Sequence, residues 1–213
     1  MPSLRQLLLR HPPILLLDAA GARVHAGWLA SERLESAQWA SAEGEAGTAL
    51  FAALSALGAA PGAAAAFALC EAPGSVLGIR TAAMAIRCWR ALRFRPVFAY
   101  NALAVMAEGT ADPDPNLAWI ADARRDTWHF LRRGGELRRV GTCELGDGPL
   151  ATAAEFRHWA ALPGKVRQVP YDLPRLLRQA PEADLFHASD EPDAFLHAQP
   201  AYATWDGKVH AAP

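Results

Sequence analysis

The sequence predicts an α/β protein of two small lobes, and three observations lead there. Short apolar runs alternate with helix-spaced segments through the first half, and strand-like runs reopen just past residue 98. Apolar residues make up 52% of the 213 and charged ones 20%, enough core material for two modest units sharing an interface.

Taken in order, Ile14–Leu17 is a short apolar run stopped by Asp18-Ala19-Ala20-Gly21, which reads as a buried strand and its turn. Val24–Leu29 follows as a hairpin partner, Arg33–Trp39 as a third strand, and Glu43–Gly47 as a polar loop. Leu50, Phe51, Leu54 and Leu57 fall at helical spacing, so Thr48–Leu57 is a helix with Gly58 as its stop. Phe67–Cys70 is another buried strand.

Pro73-Gly74 then makes a turn, and Ser75 is a good N-cap because its hydroxyl can accept from a free first-turn N–H. The helix that follows runs about eighteen residues, to Arg93. At about 100° per residue, Arg80, Arg87 and Arg90 share one narrow stripe. Leu77, Ile79, Met84, Ile86, Cys88, Trp89 and Leu92 make nearly everything else apolar. An arc so wide is covered on more than one side. Two readings stand: a central helix buried within its own domain, or one face on the core and another against a partner.

Val97–Tyr100 reads as a strand, Asn101–Glu108 as a short helix, and Asp112-Pro113-Asp114-Pro115 as a rigid connector. Leu117–Ile120 and Trp128–Arg132 are strands around a turn at residues 122–126, and Arg133–Glu136 turns into Leu137–Val140. The lobes are therefore placed at 1–98 and 99–213. From Gly146 onward Pro, Gly and Ala dominate, and no element is assigned; no short-period repeat is visible.

The formal charge is −1, divided as +3 over residues 1–98 and −4 over the rest, which gives no field for gripping a polyanion. Strong direct binding of nucleic acid is not expected. Arg124, Arg125, Arg132, Arg133, Arg138 and Arg139 come as doublets whose neighbours point to opposite faces of a strand, so a solvated edge is favoured over an RNA patch. Three cysteines, Cys70, Cys88 and Cys143, are odd in number and far apart, which suits reduced, intracellular thiols, with Cys70 and Cys88 read as inert core thiols. Arg10-His11-Pro12-Pro13 breaks the Leu-rich start before it resembles a signal peptide, and no apolar stretch reaches membrane-span length. A cytoplasmic protein with no membrane association is expected.

No two of the seven histidines are spaced i,i+3 or i,i+4, and no Cys-x-x-Cys, Gly-x-Ser-x-Gly or Gly-Lys-Ser/Thr pattern occurs. Neither a metal, a cofactor nor a catalytic residue is called for. The Pro73–Ser75 turn at a helix start is an anion site only in a competing reading.

The segment Pro73-Gly74-Ser75-Val76-Leu77-Gly78-Ile79-Arg80 resembles the signature Pro-Gly-Ser-Phe-Thr-Gly-Leu-Arg of the TsaB (YeaZ) family, within the glycoprotease-like superfamily. Ile14–Asp18 is similar to that family's opening strand, Tyr100–Ala104 to its Ser-Leu-Glu-Ala-Leu helix, and Ala121–Arg125 to its Asp-Ala-Arg turn. Gln199-Pro200-Ala201-Tyr202 is a faint echo of a terminal Pro-x-Tyr-Leu-Arg. The resemblance implies an actin-like, ribonuclease H-like fold of two lobes without a functional nucleotide site.

It also implies a non-catalytic scaffold that binds TsaD, with a TsaE-like ATPase joining them, in threonylcarbamoyl transfer to the adenosine beside the tRNA anticodon. The helices at about 48–57 and 75–93 would form the interface, through Leu50, Leu54, Leu77, Arg80, Met84, Arg87 and Trp89, with Pro73, Gly74, Ser75 and Gly78 building the turn. A homodimer through the same face is expected when the protein is alone. Two departures stand out: Val76-Leu77 replace Phe-Thr, and Ala19-Ala20 replace the polar residues that phosphate and its metal require. The competing readings are an ATP-dependent phosphotransferase using Asp18, a metal-dependent peptidase, and a divergent relative with another partner.

Overall fold

The computed structural model describes residues 1–197. The Gln199–Tyr202 echo lies outside them. The chain opens with a helix that periodicity did not reveal, α1 (Leu4–Arg10). Ser3 Oγ accepts from Gln6 N–H and Gln6 Oε1 accepts from Ser3 N–H, a reciprocal cap that stabilises a helix of only seven residues. Leu4, Leu7 and Leu8 form its buried face.

The first sheet contains β1 (Ile14–Asp18), β2 (Arg23–Leu29), β3 (Gln38–Glu43), β4 (Ala66–Ala72) and β5 (Val97–Asn101), joined from far along the chain by β11 (Phe186–Ala188). Its order is β11-β5-β4-β1-β2-β3, with β1, β4 and β5 parallel and the other neighbours antiparallel. The second sheet contains β6 (Ala118–Asp122), β7 (Thr127–Arg132), β8 (Arg138–Gly141), β9 (Leu150–Ala153) and β10 (Val166–Val169), in the order β10-β9-β6-β7-β8. Read as the first to fifth strands of each unit, both sheets follow the order 5-4-1-2-3, so the architecture is duplicated although no sequence repeat announces it.

Expected strand Arg33–Trp39 is corrected: Leu34–Ser36 is a turn of 3₁₀ helix, and β3 begins at Gln38 and runs on to Glu43, the first residue of the expected loop. Register explains the shift, because Trp39 stands opposite Gly27. A Cβ at Gly27 would lie 2.6 Å from the Trp39 ring, so the indole rests on the bare backbone there.

Helices α2 (Ala46–Leu57) and α3 (Val76–Leu92) lie on one face of the first sheet. Their inward residues Ala49, Leu50, Ala53, Leu54, Ala82, Ala83 and Ile86 pack on Leu15, Leu17, Phe67 and Leu69. The opposite face carries Ile14, Leu16, Ala68 and Tyr100, which meet α1, α4 (Ala102–Gly109), α5 (Leu173–Gln179) and the second sheet through Trp119, Ala121 and Leu131. A strand buried on both faces needs continuous rather than alternating apolar residues, which is why Ile14–Leu17 read so plainly. Among the described residues no helix is long and apolar enough to cross a membrane.

Candidate interaction face and interlobe cleft

The Pro73-Gly74-Ser75 turn is a clasp. Gly74 sits at φ +151°, Ser75 N–H donates to Ala20 O at 2.8 Å, and Ser75 Oγ accepts from Gly78 N–H at 3.2 Å. A Cβ at Gly74 would press into Ala20 O, and one at Gly78 into Ala19 O. Glycine is required because the start of α3 lies directly on the β1–β2 turn. Pro73 is buried. Two donors that an anion would need are thus engaged with protein atoms.

From this clasp α3 runs to Leu92 with two faces. Gly78, Ile79, Ala82, Ala83 and Ile86 point inward. Leu77 is 73% exposed, Met84 55% and Leu92 87%, with Arg80 and Arg87 exposed beside them. Trp89 is half-buried, its ring 5.8 Å from that of Phe67. Two of the expected interface residues are corrected: Leu50 and Leu54 belong to the protein's own core, because α2 needs them to seal the sheet. The residue that α2 presents instead is Phe51, 59% exposed. Helical spacing alone did not distinguish its two sides, since α2 is apolar or small nearly all round. Cys88, expected in the core, is exposed on α3, whereas Cys70 is buried and its thiol pushed well up by that burial.

Beneath the clasp lies the carboxylate of Asp18, fully buried. Oδ2 accepts from Tyr100 Oη and Tyr171 Oη, each at 2.7 Å, and Oδ1 accepts from Ala20 N–H at 3.0 Å. Burial, with the Asp18 charge adding to it, pushes both phenols well up. Both oxygens accept from protein donors, and Asp18 is not among the residues that line the cleft.

The cleft between the lobes has a volume of about 490 Å³ and is lined by Ala19, Ala20, Gly74, Leu77, Phe156, Arg157 and Trp159, among others. Arg124 stacks over Trp159, its Cζ 3.1 Å from the ring centroid, and Asp122 accepts from Arg124, Trp159 and Ala160 N–H. The arginine doublets do not form one patch. Arg133 donates to Ala107 O and Thr110 O at the end of α4, and Arg139 to Thr127 Oγ1 and Ala123 O.

Sequence spacing missed a histidine pair. His129 Nδ1 lies 3.0 Å from His197 Nε2, joining β7 to the last described residue. Burial, then His197 and Arg139, lowers the His129 pKa to about 4. Among the described residues no group of three or more His, Cys, Asp or Glu side chains is placed to hold a metal.

Two duplicated α/β sheets with helices packed against them define the actin-like, ribonuclease H-like class of fold. No protein-family model and no curated protein matches the chain. Solved structures do. YeaZ from Pseudomonas aeruginosa is similar at 20% identity with a TM-score of 0.58, over 79% of this chain and 90% of that one. A Pseudomonas aeruginosa protein described as uncharacterized, with similarity to peptidase YEAZ, matches at 19% identity with the same TM-score and coverage. The chain has the fold of YeaZ.

Proposed function

We propose that this protein is a TsaB-like, non-catalytic subunit that docks a TsaD homologue through the outer face of α2 and α3. In that assembly, with a TsaE-like ATPase, it supports threonylcarbamoyl transfer to tRNA. One observation carries the reading: Leu77, Met84 and Leu92 stand exposed with Phe51 on a single helical layer whose inner side is already filled. An apolar face of that kind on a soluble fold is costly to leave in water and marks a surface that another subunit covers. When the partner is absent, the same face pairs two copies of the chain.

The commitment of Asp18 to two tyrosines and the alanines at 19 and 20 favour this over a phosphotransferase. Co-purification with the TsaD homologue of the same organism tests the reading. Leu77→Asp and Met84→Asp abolish it while leaving the fold intact, since both side chains point to solvent. Folded variants that still co-purify would refute the docking assignment. Micromolar Mg-ATP binding in a calorimeter would favour the phosphotransferase instead.

A further inference from the structure

Beyond β11, residues 189–197 carry no helix or strand and form a strap that meets α3 at Arg90 and Arg80 and ends with His197 beside His129 of β7. Ser189 N–H donates to Val97 O at 2.9 Å, and Phe195 N–H donates to Glu71 O at 2.8 Å. Between these two anchors lies Asp190-Glu191-Pro192-Asp193. Asp190 meets Arg90, whose guanidinium donates to the Asp190 carbonyl, and Asp193 Oδ1 lies 3.2 Å from Arg80 Nε. An acidic stretch is therefore laid along the arginine edge of the helix that presents the apolar face.

That edge and the apolar stripe are adjacent. Arg80 is three residues from Leu77 and four from Met84, and Arg87 is three from Met84, spacings that place side chains next to one another on a helix surface. Helix α3 carries three arginines and no acidic residue. A subunit that covers Leu77 and Met84 brings its rim against Arg80 and Arg87. Taking those guanidiniums out of water without opposite charge is unfavourable, so the matching rim is acidic. The place that such a rim would occupy is held by Asp193.

We infer that the Asp190–Asp193 stretch is an internal stand-in for an acidic segment of the docking partner, and that the partner must displace it to seat fully. The inference rests on the docking reading above. The pair on the docking edge is the weak one: the Arg80 and Asp193 side chains are each about half exposed, and exposed pairs are weak and screened by salt, whereas Arg90 beneath Asp190 is largely buried. Pro192 contributes no backbone donor, and the stretch is anchored by the buried Pro192 and Ala194, which leave Asp193 between them exposed. Arg87 makes no ion pair among the described residues and is the arginine the strap leaves open.

The test uses the full chain and the TsaD homologue of the same organism, with affinities measured by titration at low salt. The double variant Asp190→Asn/Asp193→Asn binds about 3- to 10-fold more tightly than the parent, because the internal competitor is weakened. Adding the partner to the parent protein also speeds amide exchange at Phe195. Should the parent bind and the double variant bind no more tightly, with Phe195 equally protected, the stand-in is overturned while docking survives. If neither protein binds, the docking reading falls and this one with it.

Discussion

The phenol of Tyr171 donates to Asp18 Oδ2 at 2.7 Å across 153 positions of sequence, and Tyr100 donates to the same oxygen at the same distance. One buried carboxylate thereby ties β1 and β5 of the first sheet to the segment that enters α5. Tyr171→Phe removes one donor from a site that water does not reach. The expected loss is about 1–3 kcal/mol, read as a melting temperature lower by roughly 2–10 °C. An unchanged melting temperature would show that the bond does not hold the segment.

Gly78 and Gly47 make opposite predictions for the same substitution. Helix propensity favours alanine over glycine by about 1 kcal/mol. At Gly47 nothing lies within 4 Å of an added Cβ, so Gly47→Ala stabilises by about 0.5–1 kcal/mol. At Gly78 the methyl group meets Ala19 O, and the clasp must open. Gly78→Ala therefore destabilises by about 1–3 kcal/mol despite the better propensity. Denaturant midpoints of the two variants should move in opposite directions; a shared sign contradicts the clasp.

The two helices of the docking layer separate folding from binding. Leu50→Asp buries a charge in the sheet-facing core and prevents folding, seen as lost near-ultraviolet dichroism. Phe51→Asp, one residue away, leaves the fold within about 0.5 kcal/mol and weakens partner capture by at least ~10-fold. Trp89→Asp belongs with the first kind, because its ring packs on Phe67.

Acid sensitivity follows from His129. Its folded pKa is about 4, below the ordinary histidine value of 6.5, so the unfolded chain binds the extra proton first as pH falls. Stability contributed by the neutral ring is complete above pH 6.5 and is lost as pH falls from there to about 4, by about 1–3 kcal/mol. His187 runs the other way: Glu71 raises its pKa, so its contribution fades as pH rises through that raised value. His129→Gln should flatten the fall in melting temperature between pH 6.5 and 4. A profile as steep as the parent's would place the titration elsewhere.

Much of the first lobe was legible because its rules are local. Ile14–Leu17 and Phe67–Cys70 are buried on both faces and so read as continuous apolar runs, and Ser75 after Pro73-Gly74 announced α3 to within a residue. The second lobe was harder. Its β8–β9 and β9–β10 connections carry no α-helix, so the alternation that revealed the first sheet is missing and its parallel strands β9 and β10 went unassigned. Strand β11 is three residues long and exists only because β5 lends it an edge.

The sequence by itself determined the α/β class, the capped turn into α3 and the surplus of apolar residues on that helix, since each depends on neighbours within a few positions. Which apolar residues face outward was decided by tertiary structure alone. Leu50 and Phe51 are adjacent and similarly apolar, yet the sheet beneath α2 takes the first and leaves the second to water. The joining of Asp18 to Tyr171, of His129 to His197 and of Asp193 to Arg80 was likewise set by the fold. Pairings over such separations leave no periodic trace, because only chain reversal brings their atoms within reach.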